Sequence, residues 1–139
     1  MQDGWRALDM VCGVGPKIAS FILRDLSLLR DYSNGAGAPV VTYRHNRDRR
    51  WFDALRADDQ ALFMPIDIYV HRFAREHRAS GTCTRRRLAD IQWDADLHRR
   101  AGAEIVRWAL ARSFDPRDLN VYWYSLGAEN IREDGTPTY

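Results

Sequence analysis

A tight turn that leads directly into a helix constrains this chain more than any other stretch of its sequence. Residues 11–19 read VCGVGPKIA, a Gly-x-Gly turn with apolar residues on both sides. Pro16 suits the first position of a helix, where its missing N–H needs no partner, and the glycines allow a sharp turn. Free amides at a helix N-terminus attract anions. The stretch therefore predicts two helices joined by a hairpin that binds an anion, and a nucleic-acid phosphate is the expected one.

Apolar residues recur at helical spacing along most of the chain, which predicts an all-α fold. The expected helices lie over 4–12, 16–32, a turn near 51–55, 67–78, 85–91, 94–114 and 116–126. Residues 81–84 are expected to form a linker, and Gly127 is expected to end the last helix. Two hairpin helices cannot bury their apolar faces alone, so all 139 residues are expected to form a single helical domain.

Composition excludes several classes of protein. The chain is 45% apolar and 29% charged, as in an ordinary globular protein, and no apolar stretch is long enough to cross a membrane. An early acidic residue and no apolar run behind it argue against a signal peptide. Cys12 and Cys83 are too few for a disulfide framework or for an iron–sulfur cluster, which generally takes four ligands. We expect a protein of the reducing cytoplasm.

Lys17 is the one lysine among 21 lysine and arginine residues, and it lies just inside the helix that follows the turn. Arginine stays protonated in proteins, whereas a desolvated lysine can become a neutral amine and act as a nucleophile. A coding bias toward arginine explains the same count without any chemistry. The pattern alone leaves both interpretations open.

A second informative stretch, PIDIYVHRF, lies at 65–73. Proline disfavours helix in the residue before it, and Asp67 is a good N-cap for the helix that follows. A cap is also a sufficient explanation of Asp67 by itself. The histidines His71 and His77 are not four residues apart, as a helical zinc site requires, so no metal site is expected.

The densest basic cluster, RHNRDRR, lies at 44–50. Arg44 and Arg47 are candidates for contacts with phosphate groups, although a solvated loop explains the cluster as well. The formal net charge of +2 is weak support for a nucleic-acid partner, so local clustering matters more than the total.

Two motifs together resemble the helix-hairpin-helix DNA glycosylases, the superfamily of endonuclease III and 8-oxoguanine DNA glycosylase. GVGPKIA at 13–19 resembles that family's Gly-Val-Gly-x-Lys-x-Ala hairpin, whose lysine is the nucleophile of the bifunctional members. IDIYVHR at 66–72 resembles its Val-Asp-x-x-x-x-Arg segment, which supplies a catalytic aspartate. Lys17 and Asp67 fall on those two positions, and WYSLG at 123–127 resembles the helix that closes the domain. Similar hairpins simply hold DNA in recombination, excision-repair and ligase proteins, so the pair of motifs is the more specific signal.

The resemblance implies a base-excision-repair DNA glycosylase with AP-lyase activity. Lys17 would remove a damaged, oxidised base by forming a Schiff base with the sugar, and Asp67 would stabilise the charge that develops there. The implied partner is double-stranded DNA that carries a damaged base or an abasic site. No cofactor is implied, apart from a monovalent cation held by hairpin carbonyls as in relatives.

The other candidate site residues fall into two groups. The DNA-binding group consists of Gly13, Val14, Gly15, Arg44, Arg47 and Arg72. A target nucleotide must leave the base stack to be reached, and aromatic residues would line its pocket. The pocket candidates are Trp51, Trp123 and Tyr124, although aromatic residues at helical spacing more often pack in a core.

On this interpretation the domain has four parts: the helix-hairpin-helix at about 4–32, an insertion loop at about 33–64, the aspartate helix with the C-terminal helices at about 65–128, and a loose tail at 129–139. Asp67 follows Lys17 by 50 residues, more than the family usually shows, so the insertion is expected to loop out. The family has further helices before its hairpin, which are expected to be missing or to come from another chain.

Two other functions fit the same residues. The chain is either a non-catalytic helix-hairpin-helix DNA-binding domain, including a degenerate or fragmentary glycosylase, or a hydrolytic glycosylase. In the hydrolytic alternative Asp67 activates water and Lys17 binds phosphate.

Overall fold

The computed structural model describes residues 2–11, 13–34 and 49–129, and within these ranges the chain is helical with no β-strand. The all-α prediction is confirmed for this part of the chain. The helices are α1 (Gln2–Asp9), α2 (Pro16–Asn34), α3 (Arg50–Asp53), α4 (Ala57–Gln60), α5 (Ile68–Glu76), α6 (Gly81–Arg85), α7 (Leu88–Trp93), α8 (Ala95–Leu110) and α9 (Pro116–Glu129), with a 3₁₀ turn at Ala61–Phe63. None of these helices is long and apolar enough to cross a lipid bilayer.

Aspartate side chains begin three of the later helices. Oδ1 of Asp67 accepts the Val70 N–H at 2.8 Å, and Oδ1 of Asp115 accepts the Arg117 N–H at 2.9 Å. Asp94 binds the first amides of α8 in the same way. Each carboxylate satisfies an amide that has no partner within its own helix. The caps predicted at Asp67 and Asp115 are confirmed.

The larger of two apolar clusters, called here the C-terminal core, lies where α5, α8 and α9 meet. Its apolar positions recur at helical spacing along α8, which packs against α4, α6, α7 and α9. The completely buried members of the cluster include Ile66, Ala74, Cys83, Ile91, Ala101, Ile105, Val106 and Ala109. This cluster holds the segment that carries Asp67 in a fixed place.

The smaller cluster, called here the N-terminal core, packs the hairpin helices against the middle of the chain. Its buried members are Trp5, Ala19, Phe52, Leu62 and Phe63. The hairpin helices thus bury their apolar faces against residues of 49–64. These residues pack into the fold and do not loop out, whereas Arg44 and Arg47 lie outside the described residues, as does the tail from residue 130.

The predictions for residues 81–84 and for Gly127 are wrong. Residues 81–84 are helical, because Oγ of Ser80 accepts the Cys83 N–H at 3.0 Å and Glu104 of α8 accepts the Thr82 N–H at 2.9 Å. The last helix does not end at Gly127 but continues to Glu129. Gly127 instead lets α9 approach α5, since a Cβ there would lie 2.6 Å from the Cβ of Tyr69.

Candidate active site at the hairpin

The turn between α1 and α2 is a hydrogen-bonded hairpin. The Val14 N–H donates to the Val11 carbonyl at 2.9 Å, and the Ala19 N–H donates to the Gly15 carbonyl at 3.1 Å. Gly13 has a φ of +84°, which side chains disfavour, and no atom of the described residues beyond its chain neighbours lies within 4 Å of the place where its Cβ would be. The backbone at Gly13 is therefore open to an approaching ligand.

The two glycines of the turn serve different purposes. Gly13 is required by its backbone conformation, whereas Gly15 does not have a positive φ. A Cβ at Gly15 would lie 3.7 Å from the ring of Trp93, an ordinary contact distance. Gly15 therefore lies beside the C-terminal end of α7.

Lys17 lies half-buried in the first turn of α2, and Asp67 lies buried at the N-terminus of α5. The two residues are close enough for the positive charge of Lys17 to lower the pKa of Asp67. The fold thus brings together the two residues on which the resemblance depends, although 50 positions separate them in the sequence.

Asp67 has an unusual environment for a capping residue. Burial raises the pKa of its carboxyl above the usual range, while the amides of Val70 and Tyr69 and the charges of Lys17 and Arg24 oppose that rise. Oδ1 is engaged by the cap, but Oδ2 is buried with no hydrogen-bond partner among the described residues. One carboxylate oxygen is therefore left for a further interaction.

The two residues before Asp67 are held by side chains from three helices. Nδ2 of Asn120 in α9 donates to the Pro65 carbonyl at 2.9 Å, and Nε2 of Gln92 in α7 donates to the Ile66 carbonyl at 3.3 Å. The Ile66 N–H donates to Nε2 of His98 in α8 at 3.4 Å. The backbone that carries Asp67 is consequently fixed by α7, α8 and α9 together.

Arg24 joins the same site from α2. Its Nη1 donates to Oδ1 of Asn120 at 2.7 Å, and its charge lowers the pKa of Asp67. Lys17, Phe21 and Arg24 follow one another at spacings of four and three residues, which places them on one face of the helix. That face is turned toward Asp67.

An aromatic wall borders the site. Phe21 of α2 and Tyr69 of α5 each meet the ring of Tyr124 edge to face, with centroids 6.1 and 6.0 Å apart. The guanidinium of Arg24 lies 4.7 Å from the centre of the Phe21 ring. Tyr124 is 42% exposed, so this wall is open to solvent on one side.

The three aromatic residues predicted for the pocket occupy different places. Tyr124 belongs to the aromatic wall, whereas Trp123 is buried in the C-terminal core and stacks on Phe73 at 6.1 Å. Trp51 packs edge to face on Phe63 in the N-terminal core and donates from Nε1 to Asp31 at 2.8 Å. Trp51 and Trp123 therefore pack in the two cores, away from the aromatic wall.

Sequence reasoning missed Phe21 and Tyr69 as members of the site. Their signal was spacing: Phe21 comes four residues after Lys17, and Tyr69 two residues after Asp67. No comparable signal marked Gln92, His98 and Asn120. Each lies at least 25 residues after Asp67 in the sequence and belongs to no recognisable motif.

The predicted DNA contacts have separate outcomes. Gly13, Val14 and Gly15 form the hairpin, with Val14 packed against the N-terminal core. Arg72 forms an ion pair with Glu76 at 2.7 Å. Arg44 and Arg47 lie outside the described ranges.

Within the same ranges no three His, Cys, Asp or Glu side chains come together as a metal-binding group. The absence of a cofactor stays a prediction. No protein-family model, curated protein or solved structure matches the chain.

Proposed function

We propose that this chain is a base-excision-repair DNA glycosylase with AP-lyase activity that acts through a Schiff base on Lys17. The observation that carries the proposal is the proximity of Lys17 to Asp67, whose buried Oδ2 has no hydrogen-bond partner in the described structure. A residue that served only as a cap would need one oxygen. Burial of a second, unpaired oxygen costs stability, and such costs are typical of functional sites.

The hairpin binds the DNA backbone. The open backbone at Gly13 and the free amides at the start of α2 attract a phosphate group, and the partial positive charge of the helix N-terminus adds to that attraction. Contacts of this kind position a duplex without reading its sequence. Lys17 in the first turn of α2 then lies next to the bound strand.

The aromatic wall receives the damaged base. A base inside a duplex cannot be reached by an enzyme, so the target nucleotide swings out of the stack. Phe21, Tyr69 and Tyr124 offer ring surfaces beside Lys17 and Asp67 on which a planar base can stack. The wall therefore holds the base while its sugar faces the two reacting residues.

Lys17 and Asp67 carry the chemistry. The amine of Lys17 attacks C1′ of the deoxyribose, the bond from C1′ to the base breaks, and the base leaves with the bonding electrons and gains a proton from water. Asp67 stabilises the positive charge on the sugar and accepts the proton that the Lys17 nitrogen loses. Its raised pKa makes this carboxylate a stronger base than an exposed one. The C1′–O4′ bond of the sugar ring then breaks and O4′ takes a proton, which leaves a Schiff base between Lys17 and C1′. This Schiff base loses a C2′ proton and expels the 3′ phosphate, which cuts the strand.

Borohydride trapping on duplexes with an abasic site or 8-oxoguanine tests the proposal. Borohydride reduces a Schiff base to a stable covalent bond, so the wild-type chain is expected to be trapped on DNA. Lys17→Arg keeps the positive charge but has no amine that can form a Schiff base, and it is expected to bind the duplex without being trapped. With one lysine in the chain, the N-terminal amine is the competing amine, and the variant retains it.

Asp67→Asn separates the cap from the chemistry. Its amide oxygen can still cap α5, so we expect a folded protein with strand cleavage slower by about 10²- to 10⁴-fold. Because the pKa of Asp67 is raised in the folded protein, ionisation of this carboxyl lowers the free energy of unfolding as the pH rises through that pKa. The amide introduced by Asp67→Asn does not ionise, so the variant should melt no lower than the wild type at neutral pH.

Three results would contradict the proposal. The first is trapping that persists in Lys17→Arg, and the second is an unchanged cleavage rate in Asp67→Asn. The third is a folded wild-type chain that binds but is trapped on neither duplex, which would favour the hydrolytic or the DNA-binding alternative.

A further inference from the structure

A basic cleft lies away from the candidate active site, between α5 and the connection from α6 to α7. It has a volume of about 380 Å³. Four arginines line it, namely Arg75 from α5, Arg85 at the end of α6, and Arg86 and Arg87 from the connection, and no carboxylate does so among the described residues. The cleft thus concentrates positive charge in a concave surface.

Three of the four arginines form no ion pair within the described part of the chain, although the charges of Arg85 and Arg86 help to lower the pKa values of Glu104 and Asp90. Arg87 pairs with Asp90 at 3.2 Å, but Arg75, Arg85 and Arg86 have no ion pair there. Elsewhere in the described structure exposed arginines do pair, as Arg107 does with Asp58 at 2.6 Å. The cleft therefore offers positive charge to an external anion.

The backbone of the cleft is held in place. The side chain of His71 is almost fully buried, and its Nε2 forms a hydrogen bond with the carbonyl of Arg86 at 3.1 Å. The Arg86 N–H donates to the Thr82 carbonyl at 2.9 Å. Because both bonds fix the chain at Arg86, the consecutive arginines are presented from a defined backbone and not from a free loop.

The cleft and the hairpin lie at opposite ends of α7. Leu88, its first residue, lines the cleft, while its last residue, Trp93, lies beside Gly15 of the hairpin. Six helical residues span about 9 Å. Phosphates advance about 3.4 Å per nucleotide along the axis of one DNA strand, so α7 covers two to three nucleotides.

We infer that this cleft is a second phosphate-binding site, which holds the DNA backbone a few nucleotides from the phosphate bound by the hairpin. The identity of the anion as DNA rests on the proposed function. Guanidinium groups suit this ligand because they donate paired hydrogen bonds to phosphate oxygens. The cleft binds the strand without contributing to bond cleavage.

A matched pair of charge reversals tests the cleft. Arg85→Glu/Arg86→Glu removes two cleft cations, and Arg99→Glu/Arg100→Glu makes the same change of charge on α8, where the acidic residues Asp58 and Asp96 lie nearby. The measurement is affinity for an undamaged duplex over a range of salt concentrations. The cleft variant should bind about tenfold or more weakly than the α8 variant at low salt, and its salt slope should fall by about two.

A second variant, Arg85→Gln/Arg86→Gln, removes the same two charges without adding negative ones, and it should also bind DNA more weakly than the α8 variant. Thermal melting of each variant shows whether a loss of binding comes from a folding defect. Equal affinities for the cleft and α8 variants would overturn the inference, as would a wild-type chain that does not bind duplex DNA. The experiment is independent of Schiff-base formation. If the cleft variant loses binding and the wild type is not trapped, the phosphate-binding cleft is supported and the lyase proposal is rejected. If the cleft variant binds as well as the α8 variant and the wild type is trapped, the lyase proposal is supported and the cleft is rejected.

Discussion

His98 shows how a residue outside the reaction supports the candidate active site at a cost in stability. Its side chain is 1% exposed, and its Nε2 accepts the Ile66 N–H one residue before Asp67. The ring proton must then lie on Nδ1, which has no partner among the described residues. Burial lowers the pKa of His98 to about 4. Only the neutral ring can accept the Ile66 N–H, so the hydrogen bond that holds the backbone before Asp67 requires His98 to be uncharged.

Acid should destabilise the protein through His98. Between pH 6.5 and 4 the unfolded chain binds a proton at this residue and the folded chain does not, so the free energy of unfolding falls as the pH falls. From pH 7 to 4.5 the loss should be about 2–3 kcal/mol. His98→Gln offers an acceptor to Ile66 without titrating, and urea denaturation at both pH values should show a smaller loss. Equal losses in the two proteins would assign the acid sensitivity to other groups.

At the scale of helices, the contact between α5 and α9 depends on the absence of one side chain. Gly127 faces Tyr69 so closely that a methyl group there would overlap the backbone end of the tyrosine side chain. Tyr69 in turn supports Tyr124 in the aromatic wall. The spacing of these two helices therefore sets the position of the wall.

Gly127→Ala should destabilise the protein by about 1–3 kcal/mol, because the overlap exceeds the small gain in helix propensity. Chemical denaturation measures the change. Tyr69→Gly removes every opposing atom that a Cβ at residue 127 would overlap, the Cβ of Tyr69 included. The double variant therefore tests the mechanism: adding Gly127→Ala to Tyr69→Gly should cost clearly less than adding it to the wild type. An equal cost in both backgrounds would mean that Tyr69 is not the obstacle.

At the scale of the whole molecule, a buried arginine of α9 binds residues of α2 and of the N-terminal core. Arg117 at the start of α9 is fully buried, and its Nη2 binds Asp31 of α2 at 2.9 Å and Asp115 at 3.1 Å. Its guanidinium carbon lies 3.8 Å from the ring centre of Phe52, a member of the N-terminal core. Breaking this group would leave two buried carboxylates with less compensation.

Arg117→Met should therefore cost about 3–5 kcal/mol of unfolding free energy, a large part of the stability of a small domain. The control is Arg107→Met, which breaks an exposed pair with Asp58 at 2.6 Å, shorter than either buried pair, and should cost less than about 1 kcal/mol. Urea denaturation of both variants measures the difference. Similar costs would show that burial of Arg117 adds nothing.

The sequence predicted those features that depend on local patterns. Pro16, Asp67 and Asp115 marked helix starts by their chemistry, and apolar spacing found the main helices. It did not predict that Arg117 binds Asp31, because a charged residue in a first helical turn has the same local pattern whether it is solvated or buried. Gly127 was misjudged for a related reason: a glycine near a helix end suggests a stop, and only the neighbouring helix reveals a contact.

The position of Lys17 has a practical consequence for studying motion in this protein. A lysine-specific protease has a single cleavage point in the sequence, and that point lies in the first turn of α2, beside the hairpin. Proteases need an extended substrate, so the bond after Lys17 is cut only when this turn opens. The rate of cleavage therefore reports how often the segment around Lys17 opens, and opening of other segments alone does not contribute to it.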